Sequence, residues 1–400
     1  MASTGALPGT PAEWKAKSES LGWKTIHEYG LGNSSSKITE DQFLLLRTLW
    51  VKYTPDDLYR RDRALWIDKS NFELAQKFLS SSAIAPTWKK FLDSTSTPPD
   101  TLEKQGYDGL HTFSLVRYHQ IQSQGLKSND HDSVKVDMSP IAKRTRNRIK
   151  QRVAAQSSPT PGPKLTGLSK SLEALDITKS NPNQPPTTPD RGGGGSNASS
   201  SPPTPADFSS PFEDPRIFEA IQDEQIVNTA LIEYLNALAI HCKDLKANWS
   251  LRRLPLITRD HQGQKIYEAR VDGCLERRTD RKPLAVIEVK PFVRKKKLGD
   301  IRMQESAQMA AWINSYRPLN TDPKQENKRL MISQDRHEIY LTFAVFGADY
   351  VDYICDKQGI DYNKPSFLQM NEYGPFDVGN RNDMEMLGEL VLGYALAESQ

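Results

Sequence analysis

Three residues carry the chemistry that this chain displays most openly: Asp272, Glu288 and Lys290. Asp272 stands in the apolar-alternating stretch Ile266 to Leu275, and Glu288-Val289-Lys290 ends a run rich in β-branched residues, Leu284 to Lys290. Side chains two apart on a strand share a face, so Glu288 and Lys290 point the same way. A hairpin through Glu276–Pro283 sets Asp272 beside them, and two carboxylates and one ammonium then converge at a strand end. Such a set suits a hard divalent cation, Mg²⁺ or Mn²⁺, that keeps several of its waters. The cation acidifies a water and offsets charge building on a scissile phosphate, while the lysine orients that water or stabilises the oxyanion. Glu-x-Lys alone is common on ordinary surface hairpins. The aspartate before it, with an apolar run leading in, is what singles this one out.

The neighbouring elements must position that trio. A helix is expected from Ile217 to about His241, with Ile217, Ile221, Val227, Leu231, Leu235 and Leu238 as its apolar stripe. Glu224 and Asn228 fall inside that stripe, whereas Glu233 lies with Thr229, Asn236 and Ala237 on the polar side. An acid on an apolar face needs a partner, which a shared metal or Lys290 would supply; an exposed acid in a first turn is the plainer alternative. Trp249–Ile257 alternates as a strand, and Asp260-His-Gln-Gly263 reads as a turn into Lys265–Leu275. Pro291 ends the Glu-x-Lys strand, and Asp300 can cap a helix over Ile301–Tyr316. That helix sets Gln304, Gln308 and Trp312 on one face. Amides can hold phosphate or a metal-bound water and an indole can stack on a base, although the spacing equally fits a polar stripe beside a packed tryptophan. Between Arg281 and Arg302 stand eight Lys or Arg, among them Arg294, Lys295, Lys296 and Lys297, against two acids. Beside a carboxylate pair, so basic a loop fits an approaching nucleic acid. Strands are expected over His337–Val345 and Tyr350–Cys355, and a closing helix over Met384–Leu396.

The order Asp272…Glu288-x-Lys290 resembles the PD-(D/E)xK nuclease superfamily, and in particular the nuclease-like domain of fungal proteins. The matching text is Asp223-Glu-Gln-Ile-Val-Asn-Thr-Ala-Leu-Ile, Val271-Asp-Gly, Val286-Ile-Glu-Val-Lys-Pro and Gln304-Glu-Ser-Ala-Gln308-Met-Ala-Ala-Trp312. Val271 stands where the family name has proline, and Trp312 where one branch has tyrosine in Gln-x-x-x-Tyr. The resemblance implies an α/β fold, a restriction-endonuclease-like αβββαβ sandwich at the C-terminus, and metal-dependent cleavage of DNA, less so RNA. It implies Asp272 and Glu288 as ligands to Mg²⁺ or Mn²⁺ with help from the Val289 carbonyl. Glu224 would be a third acid, Lys290 the residue that positions water, and Gln308 a phosphate or water ligand. The contact residues for nucleic acid would be Arg294 to Lys297, Arg302, Gln304 and Trp312. A catalytically silent binding module on the same fold is the other class of reading.

Composition frames the rest. The chain has 400 residues, 37% hydrophobic, with a net charge of only +3, so its charge distribution says more than the sum. A mean hydropathy of −0.64 predicts substantial loop or disorder. Cys242, Cys274 and Cys355 are widely spaced, which fits buried thiols in a reducing, intracellular compartment rather than a zinc cluster. The N-terminus lacks the basic and apolar regions of a secretory signal, and no apolar run is long enough to span a membrane. Residues 1–37 read as a flexible N-terminus. Residues 38–125 read as a small, mainly helical region, opened by Thr39 and Gln42 as a capping box with Phe43, Leu46 and Trp50 following at helical spacing. Residues 126–210 hold the basic run Lys143 to Arg152, a nuclear-import signal or a solvated face, and a Pro/Ser/Gly-rich linker. The domain carrying the trio is expected over 211–400.

Overall fold

The computed structural model describes residues 6–22, 25–29, 34–126, 215–318, 325–361 and 364–400, with side chains in the helix from Pro215 described from residue 222 onward. The basic run Lys143 to Arg152 and the linker over 156–210 lie outside the described residues. Along the chain come α1 (Pro11–Ser18), α2 (Glu40–Leu45), β1 (Thr48–Tyr53), α3 (Lys69–Ser81), α4 (Ala85–Thr95) and α5 (Ser114–Gly125). There follow α6 (Pro215–Ala239), β2 (Ala247–Ser250), β3 (Pro255–Arg259), β4 (Lys265–Arg270), β5 (Gly273–Arg277) and β6 (Pro283–Lys290). After these come α7 (Leu298–Ser315), β7 (Asn327–Asp335), β8 (Glu338–Phe346), α8 (Ala348–Ile354), β9 (Leu368–Asp377) and α9 (Arg381–Glu398), with shorter helical turns between the elements named. The fold is mixed α/β. Seven strands form one mixed sheet in the order β1-β9-β8-β7-β6-β5-β2, and β3 and β4 form a separate two-stranded ribbon.

Period-2 geometry divides the sheet into two faces. Ala285, Ile287 and Val289 of β6 join one core with Leu330, Ile332, Leu341 and Phe343, covered by α3, α4, α6 and α9. Val286 joins the other, with Met331, Ala344 and Met370, covered by α7, α8 and the ribbon. Glu288 and Lys290 continue the parity of Val286 and therefore come out on the α7 side. Because β6 and β7 pair in parallel, the chain must cross over between them, and α7 is that crossover.

The described residues of the N-terminal segment belong to the same compact unit as those from Arg216 onward. The expected capping box forms: Thr39 Oγ1 accepts from the Gln42 amide and Gln42 Oε1 from that of Thr39. The helix then stops at Leu45, and Trp50, expected on its stripe, lies in β1 instead. Arg47 turns the chain with φ 52°, and Thr48 to Tyr53, rich in β-branched and aromatic residues, pairs in parallel with Leu368 to Tyr373 of β9. Trp88, Phe91, Phe113 and Tyr234 stack around one another, with Phe91 and Phe113 centroids 4.7 Å apart and Phe91 and Tyr234 5.9 Å apart. Helix α6 is thus packed on residues expected to form a separate region, and the boundary placed at residue 211 does not divide the core. Nor is the described part of residues 1–37 loose: Thr10 and Glu13 cap α1, and Trp14 Nε1 donates to the Leu44 carbonyl at 2.7 Å.

Two further expectations change. Tyr350–Cys355, expected as a strand, is the helix α8; Tyr350, Tyr353 and Ile354 are its buried residues, at helical rather than alternating spacing. The expected strands Trp249–Ile257 and Lys265–Leu275 each break in two, where the chain leaves the sheet to make the ribbon and returns. All three cysteines are buried thiols. Among the described residues no helix is long and apolar enough to cross a membrane.

Candidate active site

The break between β4 and β5 places Asp272. Its amide donates to the Ile287 carbonyl at 2.8 Å, which locks it to β6 one step before Glu288. A Cβ at Gly273 would stand 2.8 Å from the Ser250 carbonyl oxygen and 3.1 Å from Ile232, so only glycine lets β5 begin so tightly there. Asp272 Oδ2 accepts the Val289 amide at 3.2 Å, and Asn228 of α6 donates to the Asp272 carbonyl at 3.3 Å.

Asp272, Glu288 and Lys290 do come together. Lys290 Nζ lies 2.5 Å from Glu288 Oε1, and Glu288 is 3% exposed. From α7, Gln304 Nε2 donates to Glu288 Oε1 and Gln308 Nε2 to Glu288 Oε2, both at 2.6 Å. The two glutamines expected at a phosphate or a metal-bound water therefore hold the carboxylate itself. Glu224 sits within electrostatic reach of Lys290, Asp272 and Arg253 with 26% of its side chain exposed. Glu233, placed on the polar side of the helix, indeed turns away and meets His119 at 2.7 Å.

Arg253 is the member that sequence reasoning missed. Its guanidinium lies 2.6 Å from Asp272 Oδ1 and 3.7 Å from Glu224 Oε1. It arrives there because the two strand breaks coincide: the Val271 amide donates to the Leu254 carbonyl, so residues 253 and 272 leave the sheet side by side. Pro255, inside what read as a continuous strand, was the available signal for that break.

The charges do not balance. Three carboxylates, Glu224, Asp272 and Glu288, face two cations, Lys290 and Arg253. Burial pushes Glu288 up to about 8; Lys290 opposes the rise and Asp272 adds to it. Burial likewise raises Glu224, against the pull of Lys290 and with Asp272 adding to the rise. Lys290 is itself raised, because Glu288, Glu224 and Asp272 outweigh its own burial, so it stays an ammonium. One negative charge is left over, and a proton or a further cation must meet it. Asn228 Oδ1 and Gln308 Oε1 are also buried without a partner among the described residues. An all-oxygen donor set with surplus negative charge and orphaned acceptors for water fits a hard divalent cation. Among the described residues no group of three His, Cys, Asp or Glu side chains could hold a metal alone. A cation here would rest on Asp272 and Glu288 with oxygens of other kinds, the Val289 carbonyl and water.

The expected nucleic-acid contacts divide. Arg294 is 1% exposed and is bound to Asp335 at 2.6 Å, Glu372 at 2.6 Å and Glu305 at 2.5 Å, so it pins the start of α7 to the sheet and reaches no ligand. Arg302 meets the same Glu372 at 2.8 Å. Trp312 is buried, with the Arg329 guanidinium 4.5 Å from its ring centre, and has no face open to a base. Lys295 and Lys296 are exposed and Lys297 half-buried, its ammonium 5.1 Å from the Phe292 ring centre. A cavity of about 560 Å³ lined by Ser96, Gln124, Asp377, Asn380 and Arg381 includes no member of the site. Set against protein-family models and curated proteins, the chain matches neither a family model nor a curated sequence.

Proposed function

We propose that this chain is a metal-dependent phosphodiesterase of the PD-(D/E)xK type acting on nucleic acid, with DNA as the first substrate to test. The observation that carries the reading is that three carboxylates, Glu224, Asp272 and Glu288, share two cations, Lys290 and Arg253, at the strand end, an excess met by a proton where no metal is bound. When bound, Mg²⁺ or Mn²⁺ would supply an acidified water and a Lewis acid for the phosphate. Asp272 and Glu288 would hold it. Gln304 and Gln308 fix the Glu288 carboxylate through both oxygens, so that ligand is oriented before any cation arrives. Lys290, kept charged by its three acidic neighbours, orients the attacking water and faces the developing oxyanion. Lys295 and Lys296 would meet the backbone phosphates of the approaching strand.

One observation favours the second reading, a nuclease-like fold that binds without cutting. Both Glu288 oxygens and Asp272 Oδ1 already have protein partners. A plasmid-nicking assay with and without Mg²⁺ separates the two. Nicking that needs the metal and vanishes in Lys290→Ala supports the enzyme; binding without metal-dependent nicking leaves the silent module.

A further inference from the structure

We propose that Arg253 is a built-in counter-cation that holds the metal's place at Asp272 and must swing out before a divalent cation settles there. The inference rests on the metal site proposed above and adds a competitor that belongs to the chain itself. Asp272 Oδ2 is engaged by the Val289 amide, so Oδ1 is the oxygen left for a cation, and Arg253 covers that oxygen at 2.6 Å. The same guanidinium extends toward Glu224, the third acid, at 3.7 Å. It therefore bridges two of the carboxylates a metal would draw together. A guanidinium and a divalent ion compete for one carboxylate oxygen at contact distance, because the two positive charges repel one another.

The two arginines near the site differ in freedom. Arg294 is tied to three carboxylates from three elements and is 2% exposed at its side chain, so it cannot leave. Arg253 reaches in from the short connection between β2 and β3, has one close carboxylate, and keeps 44% of its side chain exposed. Leu251, two residues before it, is 56% exposed, while Arg252 is tied to Glu276 and Leu254 is buried, so the connection is anchored on either side of Arg253 and the movement is that of its side chain alone. An arginine so held can rotate into solvent at the loss of the close pair with Asp272 and the longer one with Glu224, and return when the cation departs. With the arginine in place one negative charge is left for a proton to meet; with a divalent cation bound and the arginine released, the cation and Lys290 together match all three carboxylates.

The test is calorimetric titration of MnCl₂ into the full-length wild type, Arg253→Gln and Arg253→Lys in chelator-treated buffer without nucleic acid. Removing the competitor charge should tighten Mn²⁺ binding by about tenfold or more in Arg253→Gln, whereas Arg253→Lys, which keeps the charge, should stay within about threefold of wild type. Detectable binding in Arg253→Gln but not in wild type would support the inference equally. Wild-type binding that is matched or weakened in Arg253→Gln overturns it and leaves the metal site standing. Absence of binding in all three proteins removes the metal site and this inference together. Thermal unfolding in chelator checks that each variant is folded, and Arg253→Met, which keeps the stem and drops the charge, replaces the glutamine variant should that one unfold.

Discussion

Gln308 Nε2 donates to Glu288 Oε2 at 2.6 Å and, from the same nitrogen, to the Arg270 carbonyl at 2.8 Å. One buried amide thus ties α7 to the strand end before Asp272 and to the strand that carries Glu288. Replacing it with leucine leaves a buried carboxyl and a buried carbonyl short of a donor, a loss of about 1–3 kcal/mol in urea unfolding. Metal-dependent nicking should fall at least about tenfold, the usual scale for losing a partner that orients a metal ligand. Wild-type nicking by Gln308→Leu would show that Glu288 needs no such support.

The buried acid also predicts a pH dependence. Glu288 is raised from 4.5 to about 8 by burial, with Lys290 opposing and Asp272 assisting. Between those values the unfolded chain has released this proton and the folded chain retains it, so without metal the stability contributed by Glu288 falls as pH rises across that window and is level on either side. Glu288→Gln carries no such proton. In chelator its stability relative to wild type should climb from pH 5 to pH 8, read by urea unfolding at several pH values. Parallel curves for the two proteins would mean that Glu288 ionises as an ordinary carboxylate.

The basic run should separate into a structural residue and a surface pair. Arg294→Met strands Glu305, Asp335 and Glu372 in the interior and should cost about 3–5 kcal/mol. Lys295→Gln with Lys296→Gln should leave the unfolding curve in place, weaken binding to a duplex oligonucleotide, and flatten its salt dependence by about one unit of slope per lost phosphate contact. An unchanged slope in the double variant would make these lysines a solvated turn and no more.

Much of this could be read from the chain and some could not, for physical reasons. Asp272, Glu288 and Lys290 were legible because β parity and a hairpin are local properties. The partners of Glu288 were legible as a helical face but not as donors, since helical spacing fixes direction and not target. Arg294 looked like its lysine neighbours because composition is blind to burial; only the fold reveals three carboxylates waiting for it. Arg253 was hidden by a strand break, and β1 by a helical start that reads on through Trp50. Its partner β9 is far along the chain, beyond any local pattern.

That distant pairing predicts how the chain behaves when cut. With a specific protease site inserted within residues 160–200, cleavage should yield two pieces that still elute together under native conditions, held by β1 on β9 and by Trp88 and Phe91 on Tyr234. Residues 211–400 expressed alone should be insoluble or bind a hydrophobic dye strongly, having lost the cover over α6 and α9. A soluble, cooperatively unfolding 211–400 fragment would show that the N-terminal elements are an accessory.

The register of Thr48 against Leu368 also sets a timetable for biosynthesis. A chain emerging from a ribosome at about 5–20 residues per second presents β1 early and its partner β9 tens of seconds later. Until β9 leaves the exit tunnel, Leu49 and Trp50, both buried in the finished sheet, must wait exposed. A chain ending short of Leu368 would retain every residue of the acidic cluster and still be unable to close the sheet, so premature termination late in the message should yield a target for chaperones and proteases.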